Sequence, residues 1–188
     1  DHAGTRTPRA EFGGLKVGEA SLLDLNQLHL DWYAWTMQGG AKPKFLEKAV
    51  AYYVPGAERW RYVDSLEGVT AAHEPWYLDS KGNATSVFAA GALAPGVVGK
   101  GAADSYLYDP RDTSGAALEI RADVDSLTDQ SLVLAADGKQ LVYHSPPFAS
   151  ATEISGFFRL SAWIAIDQPD TDFGARSTRS RRTARACC

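Results

Sequence analysis

Long apolar runs are missing from this chain. Nowhere do about twenty hydrophobic residues follow one another, so no segment reads as membrane-spanning. Cysteine is confined to Cys187 and Cys188, adjacent and terminal, so no disulfide framework can be laid out and no redox compartment is indicated. Methionine occurs once, at Met37, and the chain opens on Asp1 without an initiator. No signal peptide opens it either, although a sequence starting in mid-motif would not display one, so localisation stays open. No Gly-x-Ser-x-Gly elbow occurs, which removes every serine here as a candidate nucleophile. Gly96-Val97-Val98-Gly99-Lys100-Gly101 invites a phosphate-loop reading, but Ala94 stands where the first Gly belongs and Gly101 replaces the magnesium-holding hydroxyl. Asp167, Asp170 and Asp172 lack the Gly and distal Glu of an EF-hand and read as turn-capping carboxylates. Asn83-Ala84-Thr85 is a glycosylation sequon of a kind that also arises by chance. No cofactor and no metal are expected.

What is there favours a turn-rich β protein. The 188 residues, 45% hydrophobic, hold 17 Gly, 9 Pro, 5 Trp, 8 Tyr and 7 Phe, enough for one core with a small attachment. The net charge of −4 conceals an asymmetry: residues 177–188 hold four Arg and no acid. Taking these four from the 19 basic residues leaves 15 against 23 acidic, a net of −8 over residues 1–176. An acidic body of this kind argues against nucleic acid as its partner.

Ser21 to Met37 is read as a helix, with Leu25, Leu28, Trp32 and Trp35 forming one apolar stripe. Ser21 with Asp24 resembles a capping box, and Gly39-Gly40 ends the element. Alone, that stripe would face water, which points to a missing partner. His29, beside Asp31, is read as an exposed or packing residue. From Lys48 the period changes to two. Strands are expected at Lys48–Val54, Arg59–Val63, Pro75–Asp79, Thr85–Ala89, Ser105–Tyr108, Ser131–Ala135 and Leu141–His144, separated by Gly, Pro and Asp turns. His73 and His144 have no partner at ligand spacing and read as surface and core-edge residues.

The stretch Gly156–Phe173 organises the rest. Leu160, Ala162, Ile164 and Ile166 share one face and Arg159, Ser161, Trp163 and Ala165 the other, as in a central strand of a two-sheet sandwich. Together with Ser145-Pro146-Pro147-Phe148, Ile154-Ser155-Gly156 and Pro169-Asp170-Thr171-Asp172-Phe173, it resembles the carboxy-terminal jelly roll of the X-Pro dipeptidyl-peptidase and cocaine-esterase family of serine hydrolases. Trp60-Arg61 and Tyr108-Asp109-Pro110-Arg111-Asp112 are similar to further segments of that family.

The resemblance implies a mainly β fold: a jelly-roll, galactose-binding-like β-sandwich over residues 48–176, preceded in residues 1–47 by the last loop and helix of an α/β-hydrolase domain. It implies that Asp1-His2 ends a Gly-Pro-Trp-x-His motif and that His2 is the catalytic base. A neutral-range imidazole suits that role, since it takes the serine proton and returns it to the leaving group; the late position of the His fits the Ser, acid, His order of α/β-hydrolases. The alternative is a solvated terminal His. The expected function is thus that of a serine-hydrolase fragment for an ester or peptide substrate, with nucleophile and acid in an upstream α/β-hydrolase domain. The fragment alone is expected to be inactive, without nucleic-acid or membrane partners, and homo-oligomerisation is left open because the family's jelly roll helps fix the oligomer. The alternative from another class is a stand-alone jelly-roll module that binds a ligand or carbohydrate without catalysis. Residues 177–188 break the expected pattern: their apolar period is gone. Restoring one nucleotide before Ser177 lets the other frame read Leu-Tyr-Glu-Ile-Pro-Pro-Asp-Gly-Thr-Arg-Leu-Leu, a strand, a turn and a second strand. The tail is therefore read as a disordered, frameshifted basic segment, the alternative being a natural basic tail.

Overall fold

The computed structural model describes residues 7–89, 91–99, 101–121, 129 and 134–177. The protein is mainly β with few helices, and it divides into two units, Asp1–Gly156 and Phe157–Cys188.

The first unit opens with a small antiparallel hairpin, β1 (Glu11–Phe12) and β2 (Leu15–Lys16), in which Phe12 faces Leu15. Gly13 and Gly14 both take positive φ, the backbone a two-residue hairpin turn requires. This hairpin is not among the expected strands.

Helix α1 spans Leu25–Gln38. Its start corrects the capping box expected of Ser21 with Asp24. The Ser21 hydroxyl donates to the Gly18 carbonyl at 2.7 Å within a 3-10 turn at Glu19–Ser21, and Asp24 is the N-cap, accepting from the Gln27 N–H at 2.9 Å. An Asp carboxylate satisfies one orphan donor of the first turn and suits the positive helix end. Gly39, at φ 70°, ends the helix as expected, while the Gly40 N–H donates to the Ala34 carbonyl at 3.0 Å.

The best-defined sheet is the hairpin of β3 (Val50–Val54) and β4 (Arg59–Val63), in register from Val50 opposite Val63 to Val54 opposite Arg59. Val and aromatic residues take seven of the ten positions in the two strands, which suits a pleated, half-buried surface. Tyr53 and Trp60 meet across the strands with ring centroids 5.3 Å apart, and Phe45 stands edge-on to Trp60 at 4.8 Å and to Tyr62 at 6.0 Å. Each such pair contributes about 0.5–1.5 kcal/mol beyond its burial. The cluster also ties down the segment before α1, because the Tyr53 hydroxyl donates to the Val17 carbonyl at 2.5 Å and the Trp60 indole to the Ala20 carbonyl at 2.8 Å.

The third sheet has the order β5 (Tyr77–Asp79), β6 (Gly91–Ala94), β7 (Tyr143–His144), with β5–β6 antiparallel and β6–β7 parallel. Strand β6 is not among the expected strands. Gly91 is required there by close approach: a Cβ would press into the Tyr143 ring and lie 3.0 Å from the Asp79 carbonyl oxygen. Gly91→Ala is expected to destabilise the protein by about 1–3 kcal/mol through overpacking. Gly96→Ala, where a Cβ meets nothing within 4 Å, is its control. Denaturant midpoints of the two variants check this, and equal midpoints would count against the packing account.

Other expected elements differ. Thr85–Ala89 and Ser105–Tyr108 form no strand. Leu134 and Ala135 are helical, and the rest of the expected Ser131–Ala135 strand lies outside the described residues. A short helix, α2 (Ser114–Arg121), occupies part of the weakly patterned region. Among the described residues Ala84 is the one hydrophobic side chain wholly shut off from solvent.

In the second unit, residues 157–177 carry no strand, and Leu160, Trp163, Ile164 and Ile166 are exposed. This corrects the central strand expected here. The alternation of side chains is a property of the sequence, but a strand exists only when neighbours take its N–H and C=O groups, and no described strand pairs with this segment. Residues 178–188, which hold all but the first residue of the expected disordered tail, lie outside the described residues.

Candidate functional site

His2, the expected catalytic base, lies outside the described residues. The other three histidines are not brought together. His29 borders a groove beside α1, His73 is exposed in the loop before β5, and His144 is exposed at the end of β7. Asp167, Asp170 and Asp172 are exposed, and among the described residues no three metal-ligating side chains converge. No helix among the described residues is long and apolar enough to cross a membrane.

The structure does assemble one polar cluster that sequence reasoning missed. Asp104, in the loop after β6, receives three donors. Ser80, just after β5, donates its hydroxyl to Oδ2 at 2.5 Å; Tyr143, on β7, donates to the same oxygen at 2.7 Å; the Ala84 N–H donates to Oδ1 at 3.1 Å. Burial pushes the Asp104 carboxyl up, but the bonds from Ser80, Tyr143 and Ala84 outweigh it and hold the group below the usual carboxylate range. Tyr143 is pushed well above the ordinary phenol value by burial, by its bond to Asp104 and by the negative charge there. The consequence is chemical. A carboxylate with a lowered pKa is a poor base, the phenol stays protonated, and among the described residues no hydrogen bond joins an imidazole to Ser80. The cluster is a clasp joining β5, β7 and the loop between β5 and β6.

Two further charge groups lie nearby in sequence. Arg111 pairs with Asp109 at 2.8 Å. Lys139 pairs with Asp112 at 2.6 Å and donates to the Ser114 hydroxyl at 2.8 Å, at the start of α2. The Lys139 bond, then those from Ser114, hold Asp112 far below its ordinary value. Asp109 is lowered chiefly by Arg111. These partners are all exposed or half-exposed, so they set the loop's shape more than its stability.

A concavity of about 580 Å³ runs beside α1. Leu28, Trp32, Trp35, Leu46 and Ala49 form its apolar surface, and His29, Lys42 and Lys48 its basic edge. Lys42 lies 5.9 Å from the Trp35 ring centroid, and Lys48 is paired with Asp64 at 2.9 Å.

The described residues thus define a mainly β domain held by a polar clasp and an aromatic hairpin, with no assembled catalytic constellation among them. Residues 32–176 match the X-Pro dipeptidyl-peptidase C-terminal non-catalytic domain, and the chain belongs to that family. Cocaine esterase of Rhodococcus sp. (strain MB1 Bresler) is 28% identical over 130 residues, covering 68% of this chain and 22% of the relative. The chain therefore spans under a quarter of the length of the curated relative it matches. No solved structure gives a significant match. The resemblance carried by Leu141 to Phe173 is borne out at the level of the family.

Proposed function

We propose that this chain is the carboxy-terminal part of a serine hydrolase that cleaves an ester or amide bond, with X-Pro dipeptides, amino-acid esters and acyl esters as the substrate classes. The observation that carries the reading is the match of residues 32–176 to a domain described as non-catalytic, in a chain 28% identical to an esterase. In this reading residues 1–47 close an α/β-hydrolase domain and residues 48–176 contribute to a jelly roll that walls its active-site cleft. A serine upstream of Asp1 forms the acyl-enzyme, His2 is the base, and an upstream Asp orients it. The clasp at Asp104 shapes the wall and takes no part in the chemistry.

The test is turnover of a nitrophenyl ester together with labelling by a fluorophosphonate serine probe. The full-length protein is expected to do both, and residues 1–188 alone neither, because triad members act as a unit. Ester turnover by residues 1–188 that His2→Ala abolishes would overturn the division of labour. A sugar titration of the same chain addresses the binding-module alternative, since a wall domain is expected to bind no glycan. For the tail, resequencing the coding region across Ser177 is expected to reveal the missing nucleotide. An intact sequence that still encodes Ser177 to Cys188 would end the frameshift reading.

A further inference from the structure

Residues 159–167 read Arg-Leu-Ser-Ala-Trp-Ile-Ala-Ile-Asp: a base at the start, an acid at the end, and no Gly, Pro or other charge between them. The whole stretch is exposed, Trp163 fully so, and no described strand takes its backbone N–H and C=O groups. Among the described residues neither Arg159 nor Asp167 has an ion-pair partner. An extended apolar segment with open edges is a template for a further strand.

The placement of the charges selects that strand. Trp163 lies midway between Arg159 and Asp167, so the segment is complementary to itself when run antiparallel about Trp163. Arg159 then faces Asp167 of the other strand at both ends. Leu160 faces Ile166 and Ala162 faces Ile164 on one face, while the two Trp163 residues meet on the other. A slip of two residues keeps the faces but sets Arg159 against Ala165 or Pro169, and a slip of one exchanges the faces. A parallel in-register pair sets Arg159 against Arg159 and Asp167 against Asp167, like charges side by side.

We infer that residues 159–167 form an isologous antiparallel strand pair between two copies of this chain, centred on Trp163. In a twofold interface one surface patch meets itself, and this register closes it with two ion pairs. The inference does not depend on the hydrolase reading. A strand has two edges, so the second copy takes one and leaves the other to the sandwich.

The test is sedimentation of the 188-residue chain over a range of concentrations, for the native sequence and for Arg159→Asp and Asp167→Arg. The native chain is expected to pass from monomer to dimer. Each single variant sets like charges opposite one another at both ends, and is expected to weaken the dimer at least about tenfold. Mixed in equal amounts, the two variants are expected to regain it, because one copy then carries acids at both positions and the other bases. That recovery also shows that both variants fold. A native chain that stays monomeric overturns the proposal. So does a dimer that neither variant weakens, which places the contact elsewhere. Weakened variants that fail to recover on mixing exclude this register, and assembly beyond the dimer, as an open stack of strands, excludes the closed twofold pair.

Discussion

On the function proposed above, in which His2 is the catalytic base, replacing it by alanine in the full-length protein is expected to lower kcat by at least about 10⁴-fold, with far less change in KM, because a triad base acts only as the transition state forms. In that reading the serine hydroxyl, without an imidazole, has no acceptor for its proton as it attacks, and the leaving group has no donor. What survives comes from oxyanion stabilisation and substrate binding. Fluorophosphonate labelling should slow in parallel, since it draws on the same activated serine. The other three histidines of these 188 residues supply internal controls. His29 borders the apolar groove beside α1, and His73 and His144 are exposed in different parts of the fold. Alanine at any of these three should leave kcat within about twofold, as for surface substitutions away from a site. A drop of less than tenfold for His2→Ala would remove His2 from the mechanism, and a large drop for one of the other three would name its replacement.

Local chemistry explains how much of the fold the residues announced. Strand β4 at Arg59–Val63 was read with its observed bounds, since Pro55-Gly56 before it and the Trp60/Tyr62 alternation within it are signals carried by the strand itself. The end of α1 at Gly39 was legible for the same reason, as Gly takes the left-handed backbone at φ 70°. Its start was misread because two hydroxyl or carboxyl caps, Ser21 and Asp24, compete over four residues, and the Ser21 hydroxyl turns back to Gly18. Strand β6 at Gly91–Ala94 was invisible: Gly and Ala carry little strand propensity, and its strand character comes from Asp79 and Tyr143, far away in sequence. The period-two pattern at Leu160–Ile166 erred in the opposite sense, as the pattern was real but pairing is not encoded within the strand. The site behaved like β6. A lone Asp104 in an Ala- and Gly-rich loop has no local signature, because its three donors lie 20, 24 and 39 residues away.

That separation makes Asp104 the residue whose loss should be felt most widely in the fold. Asp104→Ala removes the acceptor of three donors at once, and leaves the Ala84 N–H and the Tyr143 hydroxyl without it. Ala84 is fully buried, so water does not readily replace the lost partner. With hydrogen bonds to a charged group contributing about 1.5–3 kcal/mol each and not adding in full, a destabilisation of about 2–4 kcal/mol is expected. Asp104→Asn should recover part of it. The amide oxygen can keep the Ala84 N–H, and the hydroxyls of Ser80 and Tyr143 can rotate to accept from the amide nitrogen. The two variants separate most clearly in their pH dependence. The folded-state pKa of Asp104 is lowered, so its charge stabilises the fold in full above the ordinary carboxylate value of about 3.9 and progressively less as pH falls through the depressed one. The stability gap between the native protein and Asp104→Asn should therefore be flat from neutrality down to about pH 5 and shrink below about pH 4. Denaturant unfolding followed by tryptophan fluorescence at a series of pH values measures it. An Asp104→Ala protein within about 0.5 kcal/mol of the native one, the range of ordinary surface substitutions, would show that the clasp does not hold the sheet. A gap to Asp104→Asn that stays constant through the acid limb would show that the carboxylate charge is not what the three donors recognise.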